Sequence, residues 1–128
     1  MEQRTHLAIS GRYVGVVEEL GEGTSRVRLD AVAEMAADDR GLVHGGFTFG
    51  LADYAAMVAV NDPNVVLGGA DVRFNAPVRV GQRLVATARV GEVKGKKRVL
   101  PVSVEADGVK VLEGTFTAFV LEKHVLDG

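Results

Sequence analysis

The chain has 128 residues, and 15 Lys and Arg against 17 Asp and Glu leave a formal net charge of 15 − 17 = −2. A composition of 47% hydrophobic and 25% charged residues fits one folded domain over residues 1–128 rather than a disordered chain, and near-neutrality removes the positive field that a nucleic-acid partner needs. The absence of cysteine excludes disulfides, thiolate catalysis and cysteine zinc sites, and no apolar run approaches the ~20 residues of a membrane span.

In chain order, Arg12 to Glu19 and Thr24 to Leu29 read as Val-rich strands joined antiparallel around Gly21-Glu22-Gly23. Ala33 to Ala37 adds a helical turn. Gly46 to Val60 is the one strong helix, with Phe47, Leu51, Tyr54, Ala55 and Val58 on one face and little polar surface elsewhere, so it is expected to be buried nearly all round. Asn61-Asp62-Pro63 ends it, because proline disfavours helical geometry at Asp62. Four more strands follow: Val65 to Phe74, Arg83 to Val93, Arg98 to Glu105 and Val109 to Leu121. Lys94-Gly95 and Asp107-Gly108 supply hairpin turns, since glycine tolerates the left-handed backbone these require. Leu100, Val102 and Val104 alternate with polar positions, which buries one face of that strand. Pro101 cannot donate a ladder hydrogen bond, which predicts a sheet edge or a bulge at that point. The expected fold class is α+β, a long helix wrapped by a curved antiparallel sheet.

The loop before the helix carries the first chemical signal. His44-Gly45-Gly46 places side-chain-free backbone N–H groups at the positive end of a helix dipole, the local chemistry of an oxyanion hole, although a flexible helix entry reads the same way. His44 either fixes this loop or lines a site. Asp53 is the only charge from Gly46 to Val60, and its i±3 and i±4 neighbours are Gly50, Phe49, Ala56 and Met57. A carboxylate so placed is paired, borders a cavity, or serves as base or nucleophile.

Spacing constrains how these groups combine. Asp53 lies seven residues beyond Gly46, facing nearly the same way but ~10.5 Å along the axis, so one small carbonyl cannot touch both groups of a single helix. If both act on one reacting centre, the carboxylate comes from a second copy. That predicts a homodimer with two shared sites.

Three segments then carry a resemblance: Gly41-Leu42-Val43-His44-Gly45-Gly46-Phe47, Leu51-Ala52-Asp53-Tyr54-Ala55, and Phe74-Asn75-Ala76-Pro77-Val78-Arg79-Val80-Gly81. Over roughly residues 12 to 121 the chain resembles the His-Gly-Gly branch of the hotdog-fold acyl-CoA thioesterases, which includes the phenylacetate-pathway type. The resemblance implies thioester hydrolysis with no metal and no cofactor beyond the coenzyme A of the substrate. It also implies dimers joined edge to edge into a continuous sheet, often paired into homotetramers. Carried over by position, Gly45 is the main oxyanion donor with Gly46 beside it, His44 positions the thioester or its loop, and Asp53 of the partner subunit is nucleophile or general base.

Two departures accompany it. The family often has Asn where this chain has Asp38, and a carboxylate cannot donate as an amide does. Relatives also carry Ser or Thr where this chain has Gly68-Gly69, glycines that instead let a backbone or ligand approach closely and open a substrate slot. Phe47 and Tyr54 are apolar neighbours expected to line the substrate site and raise the basicity of Asp53. Lys94, Lys96, Lys97 and Arg98 form a basic hairpin tip, read either as a solvated turn or as a contact for coenzyme A phosphates; Arg73 and Arg79 join them by the same logic.

No signal-peptide apolar core is present at the amino terminus, so the cytoplasm is the expected compartment. His6, His44 and His124 lack metal-ligand spacing, so no metal is expected. Two rival functions remain: a hotdog enoyl-thioester hydratase, and a non-catalytic acyl-CoA binding or sensing module.

Overall fold

A computed structural model describes residues 1–128. In order, the elements are a helical turn α1 (Gly11–Val14), strands β1 (Val16–Gly21) and β2 (Thr24–Asp30), a 3-10 turn (Ala33–Met35), helix α2 (Gly45–Val60), and strands β3 (Val65–Phe74), β4 (Arg83–Arg89), β5 (Glu92–Lys94), β6 (Lys97–Ala106) and β7 (Val109–Val120). A second 3-10 turn (Val125–Asp127) closes the chain.

All seven strands form one antiparallel sheet in the order β1-β2-β4-β6-β7-β3, with β5 paired to β6. Period-two alternation sends Val27 and Leu29 of β2, Leu84 and Ala86 of β4, Leu100, Val102 and Val104 of β6, and Leu112, Phe116 and Ala118 of β7 into one core. Against that face lies α2, whose Leu51, Ala52, Ala55, Ala56, Val58 and Ala59 have no exposed surface. The buried Ser25 hydroxyl donates to the Ala55 carbonyl at 2.6 Å and ties sheet to helix. This is the α+β arrangement expected from the sequence, a long helix held by a sheet.

Three local expectations are corrected. Arg12 to Val14 is helical rather than strand, because the Ser10 hydroxyl accepts from the Arg12 N–H and caps a short turn, so β1 starts at Val16. Arg83 to Val93 is broken at Val90-Gly91, where the Val90 N–H turns to the Gly23 carbonyl and the Gly91 N–H to the Val99 carbonyl. That break also accounts for Pro101. β6 is interior, with Pro101 opposite Thr115 of β7, and the ladder shift of β6 falls at Val104/Glu105 instead. By alternation Pro101 faces the same neighbour as Val99, at the gap between β4 and β5, where its missing N–H disrupts nothing.

Two surfaces stay uncovered. β3 is an edge strand whose Gly68 to Asp71, Arg73 and Phe74 are exposed. Along α2, Gly46 is exposed while Phe49, Gly50 and Asp53 are half-buried, a stripe at i, i+3, i+4 and i+7.

Candidate active site

Loop and helix start are fixed by backbone bonds that leave the glycines free. The His44 N–H donates to the Met35 carbonyl at 2.9 Å and the Val43 N–H to the Val78 carbonyl at 2.8 Å, while the His44 carbonyl accepts from Phe47 at 3.1 Å. Neither the Gly45 nor the Gly46 N–H has a partner within the chain. They are the first two N–H groups of a 16-residue helix, where the dipole favours negative charge. His44 is the N-cap residue without a side-chain cap bond; its exposed ring folds over Gly46 and meets the Phe47 ring edge-on at 6.2 Å.

Beside Gly45 runs a groove of about 380 Å³, mainly apolar, bounded by Val43, Thr48, Phe74, Ala76, Pro77 and Val111. Thr48 sits one helical turn from Gly45 and is 2% exposed. The Phe74 ring approaches Gly45 so closely that a Cβ there would lie 3.4 Å from its Cε1.

Asp53 is electrostatically exceptional. Its Oδ1 is the one buried side-chain oxygen or nitrogen in the chain without a hydrogen-bond partner. Burial pushes its carboxyl up to about 6 from the usual 3.8, and no cation offsets it. The isolation read from the sequence is therefore physical: no neighbour pairs this carboxylate.

The other expected site residues fall in different places. Phe47 packs between Tyr13, at 6.3 Å, and His44. Tyr54 is buried, and its hydroxyl accepts from Gln3 Nε2 at 3.0 Å. Asp38 Oδ1 accepts from the Arg40 and Leu42 N–H groups at 3.0 and 3.1 Å, so that oxygen holds its own loop. Gly68 lies under the Phe119 ring, which fills the space a Cβ would need, whereas Gly69 has open space. Arg73 is exposed on β3 opposite Glu113.

Lys96, Lys97 and Arg98 lie at the β5–β6 turn, where Lys97 pairs with Phe119. That is eight residues along β7 from the groove residue Val111, or about 26 Å. Arg98 spends its guanidinium on the Gly95 and Lys97 carbonyls at 2.7 and 3.2 Å. One chain thus sets Gly45 in the groove, with His44 and Gly46 as its chain neighbours, and leaves the basic turn remote from it.

Thr48 and Val111 were not anticipated. Helical spacing from Gly45 would have found Thr48, whereas Val111 reaches the groove only through sheet register. No three His, Asp or Glu side chains cluster closely enough to hold a metal ion, and no helix is long and apolar enough to cross a membrane.

A helix in a curved antiparallel sheet, with a glycine-opened N terminus beside a groove, defines a hotdog-fold protein. A family model described as "Thioesterase superfamily" matches residues 40–113, more than half of the chain, and the chain belongs to that superfamily. Among solved structures it is similar to an uncharacterized protein from Pyrococcus horikoshii, at 56% identity and TM-score 0.97, covering 99% of this chain and 98% of that one. It is also similar to a variant of the phenylacetic acid degradation protein PaaI from Thermus thermophilus, at 28% identity and TM-score 0.78, covering 87% and 97%.

Among curated relatives, it is 49% identical over 123 residues to a methylthioribose-1-phosphate isomerase from Aquifex aeolicus, covering 95% of this chain and 27% of that protein. It is 31% identical over 85 residues to the transcription factor FapR of Caldanaerobacter subterraneus, covering 66% of this chain and 42% of that protein. The chain thus spans less than half the length of these curated relatives.

Proposed function

We propose that the protein hydrolyses an acyl-CoA thioester at a site shared between two copies of the chain. The observation that carries this reading is the presence in one helix of two unbonded glycine N–H groups at its start and one half-buried, partnerless carboxylate. A thioester carbonyl seated at Gly45 and Gly46 would place its developing oxyanion on those donors, an effect worth ~3–4 kcal/mol per donor. The carbonyl carbon faces attack by Asp53 of the partner subunit, forming a mixed anhydride that water then opens, or by a water which that carboxylate deprotonates. Either way the C–S bond breaks, the acyl group leaves as the free acid, and the coenzyme A thiolate takes up a proton.

Two uncovered surfaces support the second copy. A ten-residue edge strand with unsatisfied backbone groups invites pairing, and β3 offers that edge. The Gly46, Phe49, Gly50 and Asp53 stripe is where another helix would bring its own carboxylate. Membership of the thioesterase superfamily favours the same chemistry.

The test is thiol release from short-chain, long-chain and aryl acyl-CoAs with wild type and Asp53→Asn side by side. Turnover lost in the variant, with the fold retained, is the expected result. A variant with near-wild-type kcat removes Asp53 from the mechanism.

The likeness to FapR, a protein named for transcription rather than hydrolysis, favours a second reading: an acyl-CoA binding module that does not turn over. Binding of an acyl-CoA by wild type with no thiol release from any substrate in the panel selects it.

A further inference from the structure

Two loops distant in sequence are laced together beside the groove. The Val43 N–H donates to the Val78 carbonyl and the Val80 N–H to the Gly41 carbonyl, at 2.8 and 2.9 Å, and Leu42 pairs with Arg79 as an isolated antiparallel bridge. The lacing brings Arg40 and Arg79 into one side pocket of about 220 Å³, completed by Asp38, Leu42 and Pro77. Pro77 also lines the groove at Gly45, so pocket and groove adjoin.

The charges in this pocket do not balance. None of the five ion pairs in the chain includes Arg40 or Arg79. Asp38 is the one carboxylate among the lining residues, and its Oδ1 is already engaged by two backbone N–H groups. Two guanidinium groups against one partly committed carboxylate leave a net positive concavity in a chain whose overall charge is −2. Guanidinium forks match carboxylate and phosphate oxygens in bidentate geometry, which a lysine cannot reproduce.

The geometry points to Arg40 and Arg79 as an anion-binding pocket at the mouth of the groove, holding a phosphate or carboxylate of the same ligand whose carbonyl sits at Gly45. The inference rests on the acyl-CoA reading for the identity of that ligand. Arg40 lies five positions before Gly45, a span of at most about 17 Å, so both ends fall within one extended molecule. The anion has two sources: the phosphates of coenzyme A, or a terminal carboxylate on a dicarboxylic acyl group.

Wild type, Arg40→Ala, Arg79→Ala and Arg40→Lys are titrated calorimetrically with free coenzyme A, dephospho-coenzyme A, succinyl-CoA and butyryl-CoA, and the two thioesters are also assayed as substrates. If a phosphate is held, both alanine variants weaken coenzyme A by at least about tenfold and raise KM for both thioesters more than they lower kcat. In that case Arg40→Lys restores only part of the affinity, and a matching loss with dephospho-coenzyme A in wild type assigns the 3′-phosphate. If a carboxylate is held, coenzyme A binding stays put and only the preference for succinyl-CoA over butyryl-CoA collapses.

Variants that bind every probe within about twofold of wild type overturn the pocket. Wild type that binds none of the four probes overturns it too. Hydrolysis with indifferent variants sinks the pocket alone; binding that depends on the arginines, without hydrolysis, sinks the thioesterase reading alone.

Discussion

The His44 ring and Gly46 share one space: Nε2 lies 2.9 Å from where a Cβ on Gly46 would stand. Gly46→Ala therefore displaces the imidazole from the first turn of α2. Because His44 is exposed, the fold should hold while kcat/KM falls by about 10²-fold, the scale of a lost oxyanion donor. A double variant with His44→Ala separates the causes. If ring displacement is the damage, the second substitution adds little, and a fully additive double-mutant cycle rejects the coupling.

Replacing Asp53 by Asn should have opposite effects on turnover and stability. Turnover should fall by roughly 10³-fold or more, as expected for a nucleophile or base. Burial that raises the carboxyl means that the folded state resists its ionisation. The ionised group thus destabilises the fold at neutral pH, by about 1–2 kcal/mol after allowance for solvent screening. A thermal melt at pH 7.5 should show the Asn variant above wild type.

The pH profiles follow with a sign that can be worked out. A group required as carboxylate with its pKa at about 6 gives kcat/KM rising with unit slope below that value and level above it. Stability runs the other way. The folded protein binds this proton more tightly than the unfolded chain, so the Asp53 contribution favours folding at low pH and is lost between 3.8 and about 6. Subtracting the Asn variant's stability curve from that of wild type isolates it; a flat difference contradicts the burial.

Sharing of the site has a direct readout. Asp53→Asn and Gly46→Ala, each severely impaired alone, are unfolded together and refolded as a mixture. Half of the statistical dimers then carry both lesions in one site and none in the other, which restores roughly a quarter of wild-type turnover. A mixture that stays inactive means that the carboxylate acts within its own chain.

Two glycines in the β3–β7 ladder test packing without touching the chemistry. A Cβ on Gly114 would collide with the Asp71 carbonyl oxygen, a backbone atom that cannot step aside. Gly114→Ala should lower stability by about 2–3 kcal/mol. At Gly68 the obstacle is the half-buried Phe119 ring, which can rotate, so the loss should be nearer 1 kcal/mol. Chemical denaturation ranks the two, and the reverse order contradicts the packing described.

Much of this was legible in the residues. The α2 apolar pattern, its proline stop and the alternation in β6 report the core-facing side directly, but the burial of α2 nearly all round is interrupted by the stripe of Gly46, Phe49, Gly50 and Asp53. Asp53 was legible because an isolated charge in an apolar helix is a local anomaly. Pro101 misled because its tolerance depends on a gap in a neighbouring strand, which only register reveals. The partner of the Tyr54 hydroxyl was not legible, because Gln3 lies fifty-one residues away. The Arg40 and Arg79 pocket was hidden for the same reason: its two loops meet only after β-bridge pairing.

The burial of α2 against the sheet has a consequence for synthesis. β3, β4, β6 and β7, which the helix contacts in the finished fold, all follow it in the chain, so a ribosome releases the segment long before its cover exists. Until β3 and β4 have emerged, sixteen residues with one charge among them stand bare or lean on α1, β1 and β2 alone. Such a nascent chain is a natural client for chaperones, and expression at lower temperature, which slows translation and aggregation together, should raise the soluble yield.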